Sequence, residues 1–313
     1  MAIFKIHQNK LEAISEKKID LERDIQKLTE QNLSTVFGLQ FVCGSLNQEL
    51  CIRVGDQDYY IDTLGFDESN KSVTIIEYKK DKIFSVIDQG YAYLSATLDK
   101  KGDIVLQINE RLNKKLSIKD INWDATRIFF ISTEYTNYQK SAINFKDLPM
   151  ELYQARRYAN ETIEYISIKP NRISESIKKF IKDKNVQEVN KEVKVYSVED
   201  HLNKASTQTK ELYEIIREKI LDIDNRIQEK PVSWYIGYRV RYHNFCSLAI
   251  YKERIRIHVR ATKINDEQKL FKKIPSSYAW GKTPVWYYDI KETDKINYAV
   301  SIIKQGYDEA PDK

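Results

Sequence analysis

The chain contains 313 residues, which is long for one ordinary domain and fits two comfortably. Hydrophobic residues make up 42% of it, enough for packed cores, and no apolar run reaches the roughly 18 residues of a membrane-spanning helix, so we expect no membrane partner. The net charge of +5 is compatible with a nucleic-acid partner but does not by itself indicate one.

Hydrophobic periodicity divides the first half into helices and short strands. In chain order the pattern predicts a helix over residues 10–33, strands over 39–43, 50–54, 59–66 and 72–79, a helix over 84–98, strands over 103–108 and 127–132, a helix over 148–158 and a strand over 162–168. This mixed ordering predicts an α/β fold of the α+β type, with helices packed on one mixed sheet.

The second half begins with a charged stretch and ends in a smaller region of mixed structure. We predict a helical, polar linker over 170–205, which separates a domain over 1–169 from an α+β domain over 206–313. Within the last domain the pattern predicts a helix over 209–228, strands over 234–242 and 246–261, and a final helix over 294–306.

Three charged residues interrupt otherwise apolar strands of the first half. Glu77 and Lys79 are two positions apart, so in a strand they point the same way, about 6.6 Å apart at a rise of about 3.3 Å per residue. Asp62 lies on the preceding predicted strand, and a short turn lets the two strands pair antiparallel. We therefore expect Asp62 and Glu77 to meet on one face of a hairpin.

Charges in such strands are normally paired or bind a metal ion. The oxygen ligands of Asp62 and Glu77, with no His or Cys nearby, favour Mg²⁺ or Mn²⁺ over Zn²⁺. Such an ion can polarise a phosphodiester and activate a bound water, and the neighbouring Lys79 can orient that water or stabilise developing charge. The other interpretation is a surface hairpin in which the two carboxylates face Lys79 and solvent.

At these residues the sequence resembles the PD-(D/E)XK nuclease superfamily, with Asp62 followed by Glu77-Tyr78-Lys79 as the (D/E)XK element. Glu22 stands on the N-terminal helix, where many members carry an acidic metal ligand. Gln89 and Tyr93 match the Q-x-x-x-Y element of the RecB-like branch, and the strands around Asp62 and Glu77 look like those of NucS-type endonucleases.

The resemblance covers about residues 10–168 and implies a restriction-endonuclease-like core with flanking helices. It also implies divalent-metal-dependent cleavage of DNA, with Glu22, Asp62 and Glu77 as metal ligands. Gln89 would then orient the site or touch substrate phosphate, and Tyr93 would support it. Glu30, two turns after Glu22, is the rival acidic ligand, and Gln89 with Tyr93 also fits an ordinary core face.

Basic residues alternate with apolar ones in the last domain. Arg254, Arg256 and Arg260 are predicted to share one strand face, and Arg239 and Arg241 share a face of the strand before. With the aromatic residues nearby, this pattern suits phosphate contact and base stacking. It equally fits a solvated antiparallel face. The segment resembles an uncharacterised domain that follows nuclease-like domains, which implies no mechanism.

Cysteine usage bears on location. The three cysteines, Cys43, Cys51 and Cys246, are odd in number and match no metal-ligand spacing, so we expect reduced thiols. The first seven residues lack the apolar core of a signal peptide. These features predict a cytoplasmic protein.

The sequence thus predicts a Mg²⁺- or Mn²⁺-dependent nuclease acting on DNA, with RNA not excluded. Many folds of this kind dimerise to cut two strands, so a homodimer is compatible with this prediction. One alternative is a catalytically inactive nucleic-acid-binding module of a larger defence or repair assembly, and another is a structural partner tethered by the 170–205 segment.

Overall fold

The computed structural model describes residues 3–19, 22–79, 85–145, 147–170, 183–275 and 283–310. It combines helices with mixed sheets, which confirms the predicted mixed α and β class. The chain divides into two compact units, Met1–Lys194 and Val195–Lys313. Within the described ranges, none of the helices has the length and apolar character needed to cross a membrane.

The N-terminal unit alternates between strands and helices along the chain. Its strands are β1 (Ile3–His7), β2 (Lys10–Ile14), β3 (Glu16–Lys17), β4 (Gln40–Gly44), β5 (Leu50–Val54), β6 (Gln57–Ile61), β7 (Thr63–Asp67), β8 (Ser72–Lys79), β9 (Arg127–Ser132), β10 (Met150–Tyr158) and β11 (Ile163–Ile168). Its helices are α1 (Glu22–Gln31), α2 (Leu33–Phe37), α3 (Val86–Asp99), α4 (Lys101–Leu112), α5 (Asn137–Ala142) and α6 (Lys184–Glu192), with 3-10 turns at Ile118–Asp120 and Trp123–Ala125.

One mixed sheet organises this unit, with strand order β11-β10-β9-β8-β7-β4 and β3 paired to β10. Strands β8, β9 and β10 run parallel, whereas β4, β7 and β8 form an antiparallel meander. Seven of the eight residues of β8 are buried, because helices cover both faces of a central strand that connects the two halves of the sheet. The hairpins β1–β2 and β5–β6 stand outside this sheet.

Three predictions in this unit assign the wrong type of secondary structure to all or part of a segment. The predicted helix over 10–33 begins only at Glu22, and the residues before it form β2 and β3. The predicted strand over 103–108 lies in α4, where Ile104, Val105 and Ile108 face the core at helical spacing. The predicted helix over 148–158 is β10, because pairing with β9 and β11 overrides the helix propensity of its Leu, Glu, Gln and Arg residues.

The C-terminal unit is an antiparallel sheet with helices on one face. Its elements are α7 (Val198–Leu202), α8 (Thr207–Leu221), β12 (Ile227–Pro231), β13 (Ile236–Val240), β14 (His243–Ile250), β15 (Ile255–Arg260), β16 (Lys272–Lys273), β17 (Val285–Ile290), a 3-10 turn at Thr293–Lys295 and α9 (Ile296–Asp308). The strand order is β12-β13-β14-β15-β17-β16, and side chains of α8 and α9 such as Ile216 and Ile302 share one core with Ile257.

The predicted linker and the helix after it also need correction. Residues 171–182 lie outside the described residues. The rest of the predicted linker folds into α6 and α7, and the hydroxyl of Tyr91 on α3 donates to Oδ1 of Asn190 on α6 at 3.1 Å. The helix predicted over 209–228 ends at Leu221, since the chain turns there and continues into β12.

Candidate active site

The pairing of β7 with β8 brings two acidic side chains together. Thr63 is opposite Ile76, so Asp62 and Glu77 come next at the end of the ladder. The amide of Asp62 donates to Oε1 of Glu77 at 3.3 Å, and the amide of Tyr78 donates to Oδ2 of Asp62 at 3.0 Å. Each carboxylate is therefore held by a backbone amide, as the hairpin inferred from the sequence requires.

Asp62 owes its position to a break in the strand. The predicted strand over 59–66 is two strands, β6 and β7, and Asp62 stands between them where the chain leaves the β5–β6 hairpin and enters the sheet. It is half-buried, whereas Glu77, in the middle of the sheet, is fully buried. The bend frees the Asp62 carboxylate from strand alternation and turns it toward Glu77.

Lys79 shares the face of Glu77, two residues along β8. Its Nζ lies 3.4 Å from Oε2 of Glu77, and its side chain keeps 24% of its exposure. This is ion-pair distance without hydrogen-bond geometry, since Oε2 has no hydrogen-bond partner among the described residues. The ammonium thus reaches both the buried carboxylate and solvent.

Helix α3 adds Gln89 and Tyr93, one turn apart on the same side. Burial raises the pKa of Tyr93, and so do the charges of Glu77 and Asp62, so the phenol lies near the acidic pair. The Tyr93 ring also meets Tyr59 of β6 edge to face at 6.1 Å. Oε1 of Gln89 is buried and lacks a hydrogen-bond partner in the part of the chain that the structure describes.

Glu22 and Glu30, the two rival ligands on α1, have different surroundings. Glu30 is 3% exposed, and its carboxylate accepts five hydrogen bonds: from Nε2 of Gln26, the amide and hydroxyl of Ser45, the amide of Leu46 and the hydroxyl of Thr63. Glu22 is half-buried in the first turn of α1, and its charge contributes to the raised pKa of Asp62. The geometry therefore favours Glu22 as the residue near the acidic pair and makes Glu30 a structural group.

Gln26 links the Glu30 network to the acidic pair, a role that the sequence did not reveal. Its Nε2 donates both to Oε1 of Glu30 at 3.1 Å and to the backbone oxygen of Asp62 at 2.9 Å. Gly44 packs against the same network, and a Cβ there would overlap Oε1 of Glu30 and lie 2.8 Å from the backbone oxygen of Asp62. No periodic signal could have marked this cluster, since its members come from three separate elements.

An open cleft of about 480 Å³ lies beside this cluster. Its walls are the exposed side of α1 and the turn after β4, and it is lined by Glu22, Arg23, Gln26, Gly44, Ser45, Asn47, Gln48 and Glu49. Glu49, which the sequence analysis did not select, also raises the pKa of Asp62 by its charge. The cleft thus adjoins the acidic pair through Gln26, which lines it and donates to the backbone oxygen of Asp62.

The pKa values of both Asp62 and Glu77 are raised above their usual range. Burial raises the pKa of Asp62 to about 6, although the Tyr78 amide and the charge of Lys79 act in the other direction. Burial and the charge of Asp62 raise the pKa of Glu77 to about 8, against the opposing charge of Lys79. Among the residues that the structure describes, Lys79 alone does not compensate the pair, and a bound cation would favour the charged form of both carboxylates.

These residues fit a hard divalent cation. Oε2 of Glu77 is a buried acceptor without a hydrogen bond in the described chain, and it lies within the acidic pair. Among the described residues, no three His, Cys, Asp or Glu side chains converge on one point, so a complete protein cage is absent there. Mg²⁺ does not require one, because it keeps several waters and is commonly held by one or two carboxylates and substrate phosphates.

The predicted basic residues of the C-terminal unit separate into two groups. Arg239, Arg254, Arg256 and Arg260 lie on or beside one sheet face, opposite α8 and α9. The prediction that Arg241 shares the face of Arg239 is wrong. Strand β13 ends at Val240, and Arg241 occupies the following turn with a φ of 51°.

Comparisons with known proteins give relatives whose names state no activity. Residues 198–310, nearly the whole C-terminal unit, match the family described as a domain of unknown function, DUF5655. An uncharacterized protein of Haemophilus influenzae is 31% identical over 309 residues, which cover 98% of this chain and 99% of that protein. The search of solved structures found no match.

Proposed function

The chain belongs to the same family as the Haemophilus influenzae protein, and we propose that its N-terminal unit is a divalent-metal-dependent nuclease that hydrolyses DNA phosphodiester bonds. One observation carries this proposal: Asp62 and Glu77 are held together by backbone amides, beside Lys79 and an open polar cleft. Asp62, Glu77 and Lys79, the residues on which the resemblance to PD-(D/E)XK nucleases rests, would then form the catalytic site.

Each residue has a role in this proposal. Asp62 and Glu77 would hold Mg²⁺ or Mn²⁺, with Glu22 as a further ligand through the cleft. The ion, when bound, would polarise the phosphodiester and lower the pKa of a bound water. Lys79 would orient the attacking water and stabilise charge on the phosphate, because its ammonium is partly exposed and lies 3.4 Å from Glu77.

Helix α3 supports the same arrangement. Tyr93 would fix the Glu77 carboxylate through its hydroxyl, and Gln89 would contact the substrate phosphate or a metal-bound water.

The substrate is DNA in this proposal, and RNA is tested alongside it. We also place the protein in the cytoplasm, because Cys43, Cys51 and Cys246 are free thiols, and a homodimer would let two such sites cut a duplex.

A second candidate is a catalytically inactive module that binds nucleic acid within a larger defence or repair assembly. The absence of three converging ligands among the described residues favours it. In that case the protein would bind nucleic acid with the same affinity in Mg²⁺ and in EDTA and would cut none.

Cleavage of end-labelled single-stranded DNA, duplex DNA and RNA in Mg²⁺, Mn²⁺ or EDTA tests the proposal. We expect metal-dependent cutting by the wild type and a loss of about 100-fold or more in Asp62→Asn and Lys79→Ala. Lys115→Ala and Asp103→Asn, which change exposed charges elsewhere in the unit, serve as matched controls. Cutting that survives both site variants would refute the assignment of the site.

A further inference from the structure

One face of the C-terminal sheet concentrates positive charge. Helices α8 and α9 pack on the opposite face, against Ile236, Ile257 and Val259. Among the described residues, six cationic side chains and one carboxylate share the side opposite these helices or its edge, which we call the basic face. They are Lys230, Arg239, Arg254, Arg256, Arg260 and Lys272, with Asp289 as the carboxylate.

The middle of the basic face is made of small or neutral residues. Gly237, Ser247 and His258 are aligned across β13, β14 and β15. Burial and the charges of Arg256 and Arg260 lower the pKa of His258 to about 4, so this imidazole is neutral at pH 7. The cations therefore surround three central residues, Gly237, Ser247 and His258, that carry no charge at pH 7.

Two of the arginines are fixed rather than free. Nε and Nη2 of Arg256 donate to the two oxygens of Asp289, both at 2.7 Å, and its guanidinium stacks over Tyr287 at 4.7 Å. The guanidinium of Arg254 stacks over Tyr251 at 4.3 Å and lies 3.6 Å from the same carboxylate. Asp289 thus neutralises one charge and locks two guanidinium planes beside aromatic rings.

Arg239 differs from Arg254 and Arg256 because no carboxylate among the described residues pairs with it. Its Nε is buried and has no hydrogen-bond partner among the described residues, and no ion pair to Arg239 occurs there either. A half-buried guanidinium with an unpaired Nε costs free energy, and an anionic ligand at its other nitrogens would offset part of that cost. Lys272, opposite Tyr287, is an exposed cation on the same face.

Exposed aromatic residues border the same face. Tyr251, already stacked by Arg254, keeps 40% of its exposure, and Trp234, between β12 and β13, keeps 80%. Cations that contact a backbone, together with exposed rings on which bases can stack, are the features with which proteins hold single-stranded nucleic acid. A duplex would hide its bases from these rings.

We propose that the basic face of the C-terminal unit is a binding site for single-stranded nucleic acid, in which Arg239 and Lys272 contact phosphates and Trp234 and Tyr251 stack on bases. Arg254 and Arg256, held by Asp289, shape the site. This inference does not rest on metal chemistry in the N-terminal unit, because binding is measured without a metal ion.

The test is fluorescence anisotropy of a labelled 20-nucleotide single strand with the full chain in EDTA, at several salt concentrations. The double variant Arg239→Gln/Lys272→Gln is compared with Lys210→Gln/Lys304→Gln, which removes the same charge from exposed positions on α8 and α9. We expect at least a tenfold loss of affinity in the first pair and less than a twofold change in the control pair. The slope of log K against log salt should become shallower by roughly 1.4 for two lost phosphate contacts.

Stacking is tested with Trp234→Ala, which should weaken single-strand binding by roughly fivefold or more. An equal loss in both double variants would overturn the proposal, because only net charge would then matter. Absence of wild-type binding would overturn it, as would duplex binding tighter than single-strand binding. Binding to vesicles containing phosphatidylserine, with none to nucleic acid, would assign the face to a membrane surface instead.

Discussion

The amide of Asp62 lies 3.3 Å from Oε1 of Glu77, and this contact joins a half-buried carboxylate at a bend to a fully buried one in the central strand. Within the described part of the chain, Lys79 is the cation beside them, and the pKa values of both carboxylates are raised despite its charge. In the proposed function, a bound divalent cation would supply the positive charge that the pair lacks.

The metal-free protein should lose stability as the pH rises, because of Glu77. Its folded-state pKa is raised to about 8, above the usual value of a glutamic acid near 4.5. The stability that Glu77 contributes is therefore fully present below pH 4.5 and is lost as the pH rises through 8. Each pKa unit corresponds to about 1.4 kcal/mol. In EDTA at pH 9, Glu77→Gln should therefore have a higher Tm than the wild type, and the difference should vanish near pH 4.5. A lower Tm for the variant at pH 9 would contradict this account.

Metal binding should release protons between pH 6 and 8. Asp62 and Glu77, with pKa values raised to about 6 and about 8, must lose their protons before they bind a cation. We expect Mn²⁺ affinity to fall by up to about tenfold per pH unit as the pH decreases across this range. Calorimetry in two buffers with different ionisation enthalpies measures the released protons, and a heat that is the same in both buffers would refute the prediction.

Substitution of Glu30 should mainly lower the stability of the fold, whereas substitution of Glu22 should mainly weaken metal binding. Glu30→Ala leaves the Ser45 and Leu46 amides and the Thr63 hydroxyl without their acceptor, so unfolding free energy should fall by about 2–4 kcal/mol. Glu22→Gln should weaken Mn²⁺ binding and lower the unfolding free energy by less than Glu30→Ala does. If Glu22→Gln destabilises the fold as much as Glu30→Ala, the division between a structural and a ligand carboxylate is wrong.

Gly44 should tolerate no side chain. A Cβ there would overlap Oε1 of Glu30 and approach the backbone of Asp62, so Gly44→Ala should cost about 2 kcal/mol or more and weaken metal binding. Gly102 in α4 is the matched control, because a Cβ there meets nothing within 4 Å. Gly102→Ala should stabilise the protein by up to about 1 kcal/mol, as expected for alanine in a helix. Equal changes in unfolding free energy for Gly44→Ala and Gly102→Ala would show that the Glu30 network does not require a glycine at position 44.

The sequence predicted β8 with its correct limits, because an apolar run bounded by turn residues marks a buried strand. It also predicted that Asp62 meets Glu77, because one short turn joins the two paired strands. It failed at 148–158, where local propensity favours a helix and only pairing with distant strands makes β10. The Glu30 network and the Asp289 clamp on Arg254 and Arg256 also escaped prediction, since each is assembled from residues far apart in the chain. Long-range contacts of this kind leave no periodic signal.

The most direct test of the central claim is Mn²⁺ binding followed by electron paramagnetic resonance at pH 8. Wild type and Asp103→Asn should bind Mn²⁺ with the same affinity, whereas the double variant Asp62→Asn/Glu77→Gln should lose that binding, because its two ligating carboxylates are gone. A thermal melt in EDTA checks that this variant is folded. Mn²⁺ binding that persists unchanged in the folded double variant would contradict the assignment of Asp62 and Glu77 as a metal site.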